Sequence, residues 1–489
     1  MRVVAGIDTS TQSTTVLLRD ADTGVVLGVG RSPHPPTSPP VSEQDPADWW
    51  SALVAAFASA RAEGGVAAEQ IVGISVAGQC HGLVALDEHG GVIRKAKLWN
   101  DTTSAPQAAA LERQFGVERL MNRLGSLPPA AFTITKIAWL AEHEPDNFAR
   151  LATVLLPHDW LTFRMTGNRV TDRSEASGTG YFDATTDEYE YEFLRWIDAD
   201  RDWERMLPTV LGPADSAGTV LPEIAAELGV SPDAVVGAGA GDQHAGAIGL
   251  GASHGDIVYV LGTSGVVYGI SDTPVIDPAG LVNCVAGAAG GFQPLICTLN
   301  ATKVTDAFAR LLGVTHQELS DLALAAPRTT DRPVLAAYLD GERTPNLPEA
   351  RGALSGFGSD ISREQFALAA FEGVALGLLR GEQALVGLGM PDSGRLLVIG
   401  GGSKSEAYLQ VISDLTGRDV QIVDEAEAVA AGAAVQAAAV LRGDDIAQIR
   451  DAWAPSTTPV ASPRTDPSAP AVAERYDLTA QFAGAAGQQ

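Results

Sequence analysis

The sequence is poor in cysteine and in basic residues, and it has no long uninterrupted apolar run. Its three cysteines, Cys80, Cys284 and Cys297, form no CxxC pair and no metal-ligand spacing, which argues against a disulfide framework or a structural zinc site and favours the reducing cytoplasm. Lys plus Arg number 33 against 60 Asp plus Glu, a formal net charge of −27. Such a surface repels phosphate backbones and anionic lipid, so we expect no nucleic-acid or membrane partner. The longest small-apolar run, 426–441, contains polar residues and is not a membrane span.

The sequence also lacks the two common nucleotide-binding fingerprints, GxxxxGK[ST] and GxGxxG. Three other turns, 8–13, 262–265 and 400–402, follow strand-like segments and offer backbone N–H groups that could cradle a phosphate or a nucleoside. Taken singly, each is more readily a structural turn. Their joint occurrence favours a nucleotide site.

A glycine-dense passage, 236–246, lies near the middle of the chain and carries one carboxylate, Asp242. Glycine allows positive φ and a close backbone approach, so such a passage can hold one functional side chain at a sharp corner. Asp242 is therefore either an ordinary turn residue or a general base.

The length of 489 residues predicts at least two large domains. A strand, a hydroxyl-rich turn and a second strand occur at 3–18 and again at 257–270, which indicates two α/β domains of related architecture. We place the domains at 1–243 and 244–450. The stretch 451–489 is predicted to be a loose Pro/Ser/Thr-rich tail with a short terminal helix.

Polar clusters follow two neighbouring extended segments. Gln79, Cys80 and His81 come directly after a buried strand, and 99–101 follows the next hairpin. Taken alone, His81 is more readily a satisfied core histidine than a ligand. Farther along the chain, the acidic stretch 172–175 (Asp172 and Glu175) either lines a sugar pocket or lies in a solvated polar loop.

These motifs resemble the FGGY carbohydrate kinases, within the sugar kinase, heat-shock and actin superfamily, and the resemblance extends to about residue 445. In chain order the matching motifs are Gly6-Ile7-Asp8-Thr9-Ser10-Thr11-Gln12, Ser42-Glu43-Gln44-Asp45-Pro46, Gly78-Gln79-Cys80-His81-Gly82, Leu98-Trp99-Asn100-Asp101, Lys136-Ile137-Ala138-Trp139-Leu140, Gly241-Asp242, Leu261-Gly262-Thr263-Ser264-Gly265, Gly341-Glu342-Arg343-Thr344-Pro345 and Gly400-Gly401-Gly402. The resemblance implies an α/β fold of two ribonuclease H-like lobes, with ATP and the active site in the cleft between them.

The resemblance also implies roles for individual residues. Asp242 would accept the proton of the attacking sugar hydroxyl, and Asp8 and Asp242 would face a Mg²⁺ ion that Asp8 orients. Phosphate contacts would come from Thr9, Ser10, Thr11, Gln12, Gly262, Thr263 and Ser264, and adenosine contacts from Gly401, Gly402 and Ser405. Sugar contacts would come from Gln79, Cys80, His81, Trp99, Asn100, Asp101 and Gln243.

The two sugar-side motifs, 79–82 and 99–101, imply that the acceptor is the 5-hydroxyl of D-xylulose. Gln243 stands where the family often has asparagine, so ribulose, another ketose or a polyol such as glycerol remain alternatives. An actin-like nucleotide switch on the same core is the alternative of a different class. The resemblance allows a homodimer, which the sequence does not decide.

Overall fold

The computed structural model describes residues 1–486, which form two lobes, each built on a seven-stranded mixed sheet. In the first lobe three antiparallel strands, Val3–Thr9, Ser13–Asp20 and Val26–Pro33, come first in the chain. Ile71–Gly78 then runs parallel to Val3–Thr9, and the sheet is completed by Ser216–Thr219, Val235–Gly237 and Ala240–Gly241. The first strand is β-branched and buried nearly throughout, as expected for a strand covered on both faces.

The sheet of the second lobe repeats this topology. Ile257–Leu261, Gly265–Gly269 and Phe292–Thr298 are antiparallel, and Leu396–Ile399 runs parallel to the first of them. The remaining strands are Asn283–Ala286, Val420–Val423 and Thr457–Ala461. Three antiparallel strands followed by parallel ones are the ribonuclease H-like arrangement, so the predicted repeat of architecture is confirmed.

Helices cover both sheets, and the first helix begins with a side-chain cap. Asp45 caps helix Pro46–Gly64 by accepting a hydrogen bond from Ala47 N at 2.9 Å, and Pro46 occupies the first helical position. The other helices of the first lobe are Ala105–Phe115, Val117–Leu124, Thr133–His143, Pro145–Arg150, Pro157–Thr166, Arg173–Ala176, Tyr191–Arg195, Trp203–Met206 and Pro222–Leu228. Those of the second lobe are Thr302–Leu312, His316–Ala325, Arg363–Gly387, Glu406–Thr416, Ile446–Ala452 and Ala469–Ala486.

Pairs of short strands lie outside the two large sheets. They are Glu43–Gln44 with Ala96–Lys97, Val84–Leu86 with Thr153–Leu155, Val170–Asp172 with Thr209–Leu211, Phe182–Asp183 with Glu188–Tyr189, and Val334–Ala336 with Ala353–Ser355. Within residues 1–486, no helix is long and apolar enough to cross a membrane.

Two helices join the lobes: the crossing helix, Asp242–Gly249, and the Ala-rich helix, Ala428–Arg442. A Cβ on Gly432 would overlap Ala245 O of the crossing helix, and a Cβ on Gly6 of the first strand would overlap Ala430 O. The Ala-rich helix therefore packs backbone to backbone against both the crossing helix and the sheet of the first lobe. The predicted domain boundary at 243/244 falls inside the first turn of the crossing helix.

The stretch 451–489, predicted to be a loose tail, is an integral part of the second lobe as far as residue 486. Its strand Thr457–Ala461 pairs with Val420–Val423 at the edge of the sheet. Its helix Ala469–Ala486 buries Val472 and Tyr476 against Val334 and Leu376. Proline, serine and threonine dominate only 455–470, and apolar residues at helical spacing, Val472 and Tyr476, anchor the stretch to the lobe.

Candidate active site

The predicted catalytic carboxylates lie at the carboxyl ends of parallel strands in the first lobe. Asp8 lies next to the end of Val3–Thr9, Gln79 follows Ile71–Gly78, and Asp242 follows Ala240–Gly241. Because these three strands are parallel neighbours, their ends meet at one edge of the sheet, where open α/β sheets bind ligands. Residues far apart in the chain are thus brought together.

Asp242 is the first residue of the crossing helix and is half-buried. Its Oδ1 accepts hydrogen bonds from Gln243 N at 2.7 Å and from Cys80 Sγ at 3.3 Å. Burial raises the pKa of Asp242 above its ordinary value, while the hydrogen bonds from Cys80 and Gln243 oppose the shift. A desolvated carboxylate with few partners is a better proton acceptor than one in water.

Asp8 is a buried carboxyl group with other carboxylates near it, and its pKa is strongly raised. Burial, followed by the negative charges of Asp242 and Glu427, raises the pKa of Asp8 to about 7. Its Oδ1 is buried and has no hydrogen-bond partner. An unpartnered carboxylate oxygen beside a second carboxylate fits Mg²⁺, which proteins commonly hold through one or two carboxylates and the substrate's phosphates. Asp8 and Asp242 are the residues that would hold the ion.

The residues of the first turn, 9–12, are predicted to contact phosphate, but their side chains differ in surroundings. Ser10 Oγ accepts hydrogen bonds from Gln12 N and Ser13 N and so shapes the turn. The Thr9 side chain is fully buried and accepts a hydrogen bond from Thr14 Oγ1, whereas Gln12 is exposed. The N–H groups of Gln12 and Ser13 and the Thr9 hydroxyl are therefore already engaged within the protein, and a phosphate bound at this turn would have to replace the long hydrogen bonds to Ser10 Oγ.

The second turn, 262–265, lies at the corresponding edge of the second lobe. Its base is attached to helix Thr302–Leu312, because Thr302 N donates to Gly262 O at 3.0 Å. Thr263 and Ser264 are exposed at its tip. The turn is thus fixed at its base and open at its tip, as a phosphate-binding turn must be.

A cavity of about 600 Å³ opens beside this turn. It brings together five of the predicted nucleotide-binding residues, Gly262, Thr263, Gly401, Gly402 and Ser405. Other polar and aromatic residues of its wall lie outside every sequence motif, and they include His316, Gln317, Ser320, Phe371, Lys404 and Tyr408. No motif marks them, because they lie on faces of helices that only the fold directs toward the cavity.

The glycines at 400–402 allow the backbone of this cavity wall to lie close to Leu261 of strand Ile257–Leu261. Gly400 has a φ of 86°, and a Cβ on it would lie 2.7 Å from Leu261 O. A Cβ on Gly402 would lie 2.6 Å from Leu261 Cβ, whereas one on Gly401 would meet nothing within 4 Å. Gly400 and Gly402 therefore serve packing, and Gly401 presents open backbone.

On the sugar side, Cys80 contacts Asp242, and His81 follows Cys80 in the chain. Burial, then the negative charges of Glu175 and Asp242, raises the pKa of Cys80 well above its ordinary value, so the thiol is protonated and donates to Asp242. Burial lowers the pKa of His81 well below its ordinary value, with a smaller contribution from Lys136. His81 Nδ1 is buried and unpartnered, so a neutral imidazole is available to a ligand.

Gln79 and Trp99 are linked through Thr11. The Thr11 hydroxyl donates to Gln79 Oε1 at 2.9 Å and accepts from Trp99 Nε1 at 3.0 Å. Gln79 is almost fully buried, whereas the Trp99 ring is about half exposed. Gln79 therefore ties the first turn to the neighbouring strand, and Trp99 offers the open surface.

Asn100 and Asp101 differ in their surroundings. Asn100 Oδ1 is buried without a partner and can still receive a hydrogen bond. Asp101 is fully buried, and its carboxylate accepts from Ser42 N at 2.9 Å and from Lys97 Nζ at 3.1 Å. The oxygens of Asp101 accept hydrogen bonds from donors that hold the loop, and the expected sugar contact of Asp101 stays a prediction.

The alternative that 172–175 is a solvated polar loop is wrong, since Asp172 and Glu175 are both buried. Glu175 Oε2 accepts from His81 N at 3.1 Å, and its Oε1 is unpartnered. Burial raises the pKa of Glu175 to about 8, with the positive charge of His158 opposing the shift. Gln243, in contrast, is exposed beside Asp242.

Known proteins share both halves of this arrangement. Residues 3–249 match the N-terminal domain and residues 257–441 the C-terminal domain of the FGGY family of carbohydrate kinases. The chain belongs to this family. The prediction from the motifs is confirmed, and so is the two-lobed α/β fold.

This FGGY kinase is 42% identical over 459 residues to a xylulose kinase of Streptomyces rubiginosus, covering 94% of this chain and 92% of that protein. It is 36% identical to the xylulose kinase of Bifidobacterium adolescentis, whose crystal structure it matches with a TM-score of 0.88 over 97% of this chain and 99% of that one. The glycerol kinase of Plasmodium falciparum with ADP is also similar, with a TM-score of 0.88 over 99% and 98% of the two chains. At 18% identity that likeness shows only the fold. As a member of the family, the kinase transfers a phosphoryl group from ATP to a carbohydrate.

Proposed function

We propose that this kinase phosphorylates D-xylulose on its 5-hydroxyl, with Mg²⁺ and ATP, to give D-xylulose 5-phosphate. The observation that carries the proposal is the placement of Asp242, which contacts the Cys80 thiol of the sugar-side cluster at 3.3 Å and is close enough to Asp8 to raise its pKa. The relatives named xylulose kinase, similar over almost the full chain, support the choice of ketose.

Phosphoryl transfer requires in-line positioning, charge neutralisation and one base for the attacking hydroxyl. In our proposal Asp242 accepts the proton of the 5-hydroxyl while His81, Asn100 and Trp99 hold the sugar. The unpartnered polar atoms of His81 and Asn100 support this assignment, because a ligand would satisfy them. Gln243, exposed at the same edge, supplies a further polar contact in our proposal.

The nucleoside occupies the cavity beside 401–405 in this proposal, and the phosphates lie between the turns 9–12 and 262–264. Mg²⁺, held at Asp8 and Asp242, supplies positive charge that neutralises the phosphates. The protein offers few cations of its own, with 33 basic against 60 acidic residues. Backbone N–H groups of the two turns complete the binding of the phosphates.

A coupled assay of ADP release with a panel of acceptors tests the proposal. We expect D-xylulose to have the highest kcat/KM, ahead of ribulose, other ketoses and glycerol. A preference for ribulose or for glycerol would contradict the choice of acceptor. ATP hydrolysis at full rate without any sugar would instead favour the nucleotide switch.

A further inference from the structure

His81 has an unusual backbone for a residue that carries a side chain. Its φ is 61°, in the left-handed region that residues other than glycine rarely adopt. A strained conformation of this kind costs on the order of 1 to 3 kcal/mol and persists only where the surroundings impose it. The contacts that impose it are therefore of functional interest.

One segment, the clamp (172–179), supplies two of these contacts. Glu175 Oε2 accepts the backbone N–H of His81 at 3.1 Å. A Cβ on Gly178 would overlap the His81 ring, so the ring lies directly against the glycine backbone. Phe132 packs on the same ring at 4.7 Å between centroids, and Thr133 Oγ1 donates to His81 O at 3.1 Å.

The second oxygen of Glu175 lies against the backbone of Gly241. Glu175 Oε1 lies so close to Gly241, the residue before Asp242, that a Cβ there would overlap it. The same Cβ would lie 3.0 Å from Cys80 Sγ. Glu175 thus fills the space between the backbone of His81 and the backbone that carries Asp242.

No Lys, Arg or His nitrogen in residues 1–486 comes within 4.0 Å of the Glu175 carboxylate. Burying a carboxyl group that has no ion-pair partner is costly, and a well-packed apolar side chain at the same position would commonly be less costly. Global stability therefore does not account for this carboxylate. One of its oxygens accepts from the backbone of His81, and the other lies against Gly241, the residue before Asp242. In the proposed function the sugar contacts both of these segments.

We propose that Glu175 is a positioning residue for the sugar: it holds His81 in the left-handed conformation and sets the separation between His81 and Asp242. The inference deepens the proposed function and rests on it. His81, held in this way, directs the ketose so that its terminal hydroxyl reaches Asp242, without any contact between Glu175 and the sugar.

Two substitutions separate the hydrogen bond from the charge. Glu175→Ala removes the acceptor of His81 N–H, whereas Glu175→Gln retains an amide oxygen that can accept it. We expect Glu175→Ala to raise the KM and the Kd for D-xylulose by about 10-fold to 100-fold, since the N–H of His81 loses its acceptor and the left-handed conformation loses its support. The KM for ATP should change by less than about 2-fold. Glu175→Gln should restore most of the sugar affinity.

Glu190→Ala is the matched control, because Glu190 is a buried carboxylate of the same lobe that pairs with Arg123, away from the sugar-side residues. It should leave the KM for D-xylulose unchanged. An equal rise in KM for Glu190→Ala would show a general structural effect and overturn the inference. Equal losses for Glu175→Ala and Glu175→Gln would also overturn it.

A crystal structure of Glu175→Ala gives a readout that does not depend on the acceptor. We expect φ of His81 to leave the left-handed region, and a φ that stays near 60° would overturn the inference. Should Glu175→Ala fail to fold, Glu175→Asp, one methylene shorter, serves for the same two measurements. If the wild type phosphorylates D-xylulose and the variants match it, this inference alone fails. If the wild type accepts no ketose, the proposed function fails, and His81 φ still decides the role of Glu175.

Discussion

Asp242 is the first residue of the crossing helix, and its half-buried side chain contacts the thiol of Cys80. Asp242→Asn preserves the size of the side chain and removes the proton acceptor. We expect kcat to fall by about 10² to 10⁴-fold, the usual contribution of general-base catalysis, while the Kd for D-xylulose changes little. Steady-state kinetics and isothermal titration calorimetry measure the two quantities. Near-normal turnover in this variant would refute the role of Asp242 as base.

At the same scale, membership of a motif does not define the role of each side chain in it. Gln79 and Asp101 were both expected at the sugar, yet Gln79 is almost fully buried against Thr11, and Asp101 accepts hydrogen bonds from Lys97 and Ser42. A motif records that residues occur together. It does not distinguish the side chain that binds a ligand from the one that holds the loop.

At the scale of elements, the contact between the crossing helix and the Ala-rich helix connects the lobes. Gln436 of the Ala-rich helix accepts from Gly239 N at 3.0 Å and donates to Gly239 O at 3.0 Å. It thereby holds the glycine-rich passage three residues before Asp242. Any separation of these helices would displace Asp242, the proposed general base.

Gly432→Ala tests this contact. The added methyl overlaps Ala245 O of the crossing helix, and overpacking of this kind typically costs about 1 to 3 kcal/mol. We expect both a lower Tm and a lower kcat, because the crossing helix carries Asp242 at its first position. Differential scanning fluorimetry and the coupled assay measure the two effects.

Gly387→Ala provides the control within a helix. A Cβ on Gly387 meets nothing within 4 Å, and its φ is not positive. The substitution should therefore leave Tm and kcat close to wild type. A Gly432→Ala variant as stable and active as Gly387→Ala would show that the helices separate without cost.

At the scale of the whole molecule, the excess of acidic residues extends to the candidate active site, where Asp242 and Glu427 act on Asp8. The pKa of Asp8 is raised to about 7, from an ordinary value of 3.8, by burial and by Asp242 and Glu427. In the ligand-free protein the folded state therefore binds the Asp8 proton more tightly than the unfolded state does. The stability contribution of this group is full below pH 3.8 and is lost as the pH rises toward 7.

Asp8→Asn removes the free-energy cost that the folded state bears when the buried Asp8 carboxyl is ionised. We expect the Tm of the ligand-free variant to exceed that of the wild type by on the order of 5 °C at pH 8 and by less at pH 5, while activity is lost. Thermal unfolding at both pH values measures the difference. Asp392→Asn, which changes an exposed carboxylate, should show no such dependence. An equal Tm gain for Asp8→Asn at both pH values would contradict the explanation.

The sequence by itself determined the family, the two lobes of related topology and the turns that end their strands. These features are local, because a strand, a glycine turn and a cap are specified by residues a few positions apart. Only the tertiary structure decided that Asp8, Cys80 and Asp242 lie at one edge, since they are at the carboxyl ends of three strands that become neighbours through parallel pairing. The clamp around His81, the helix-lined wall of the nucleoside cavity and the docking of 457–486 likewise depend on long-range packing, and burial follows from packing rather than from residue order.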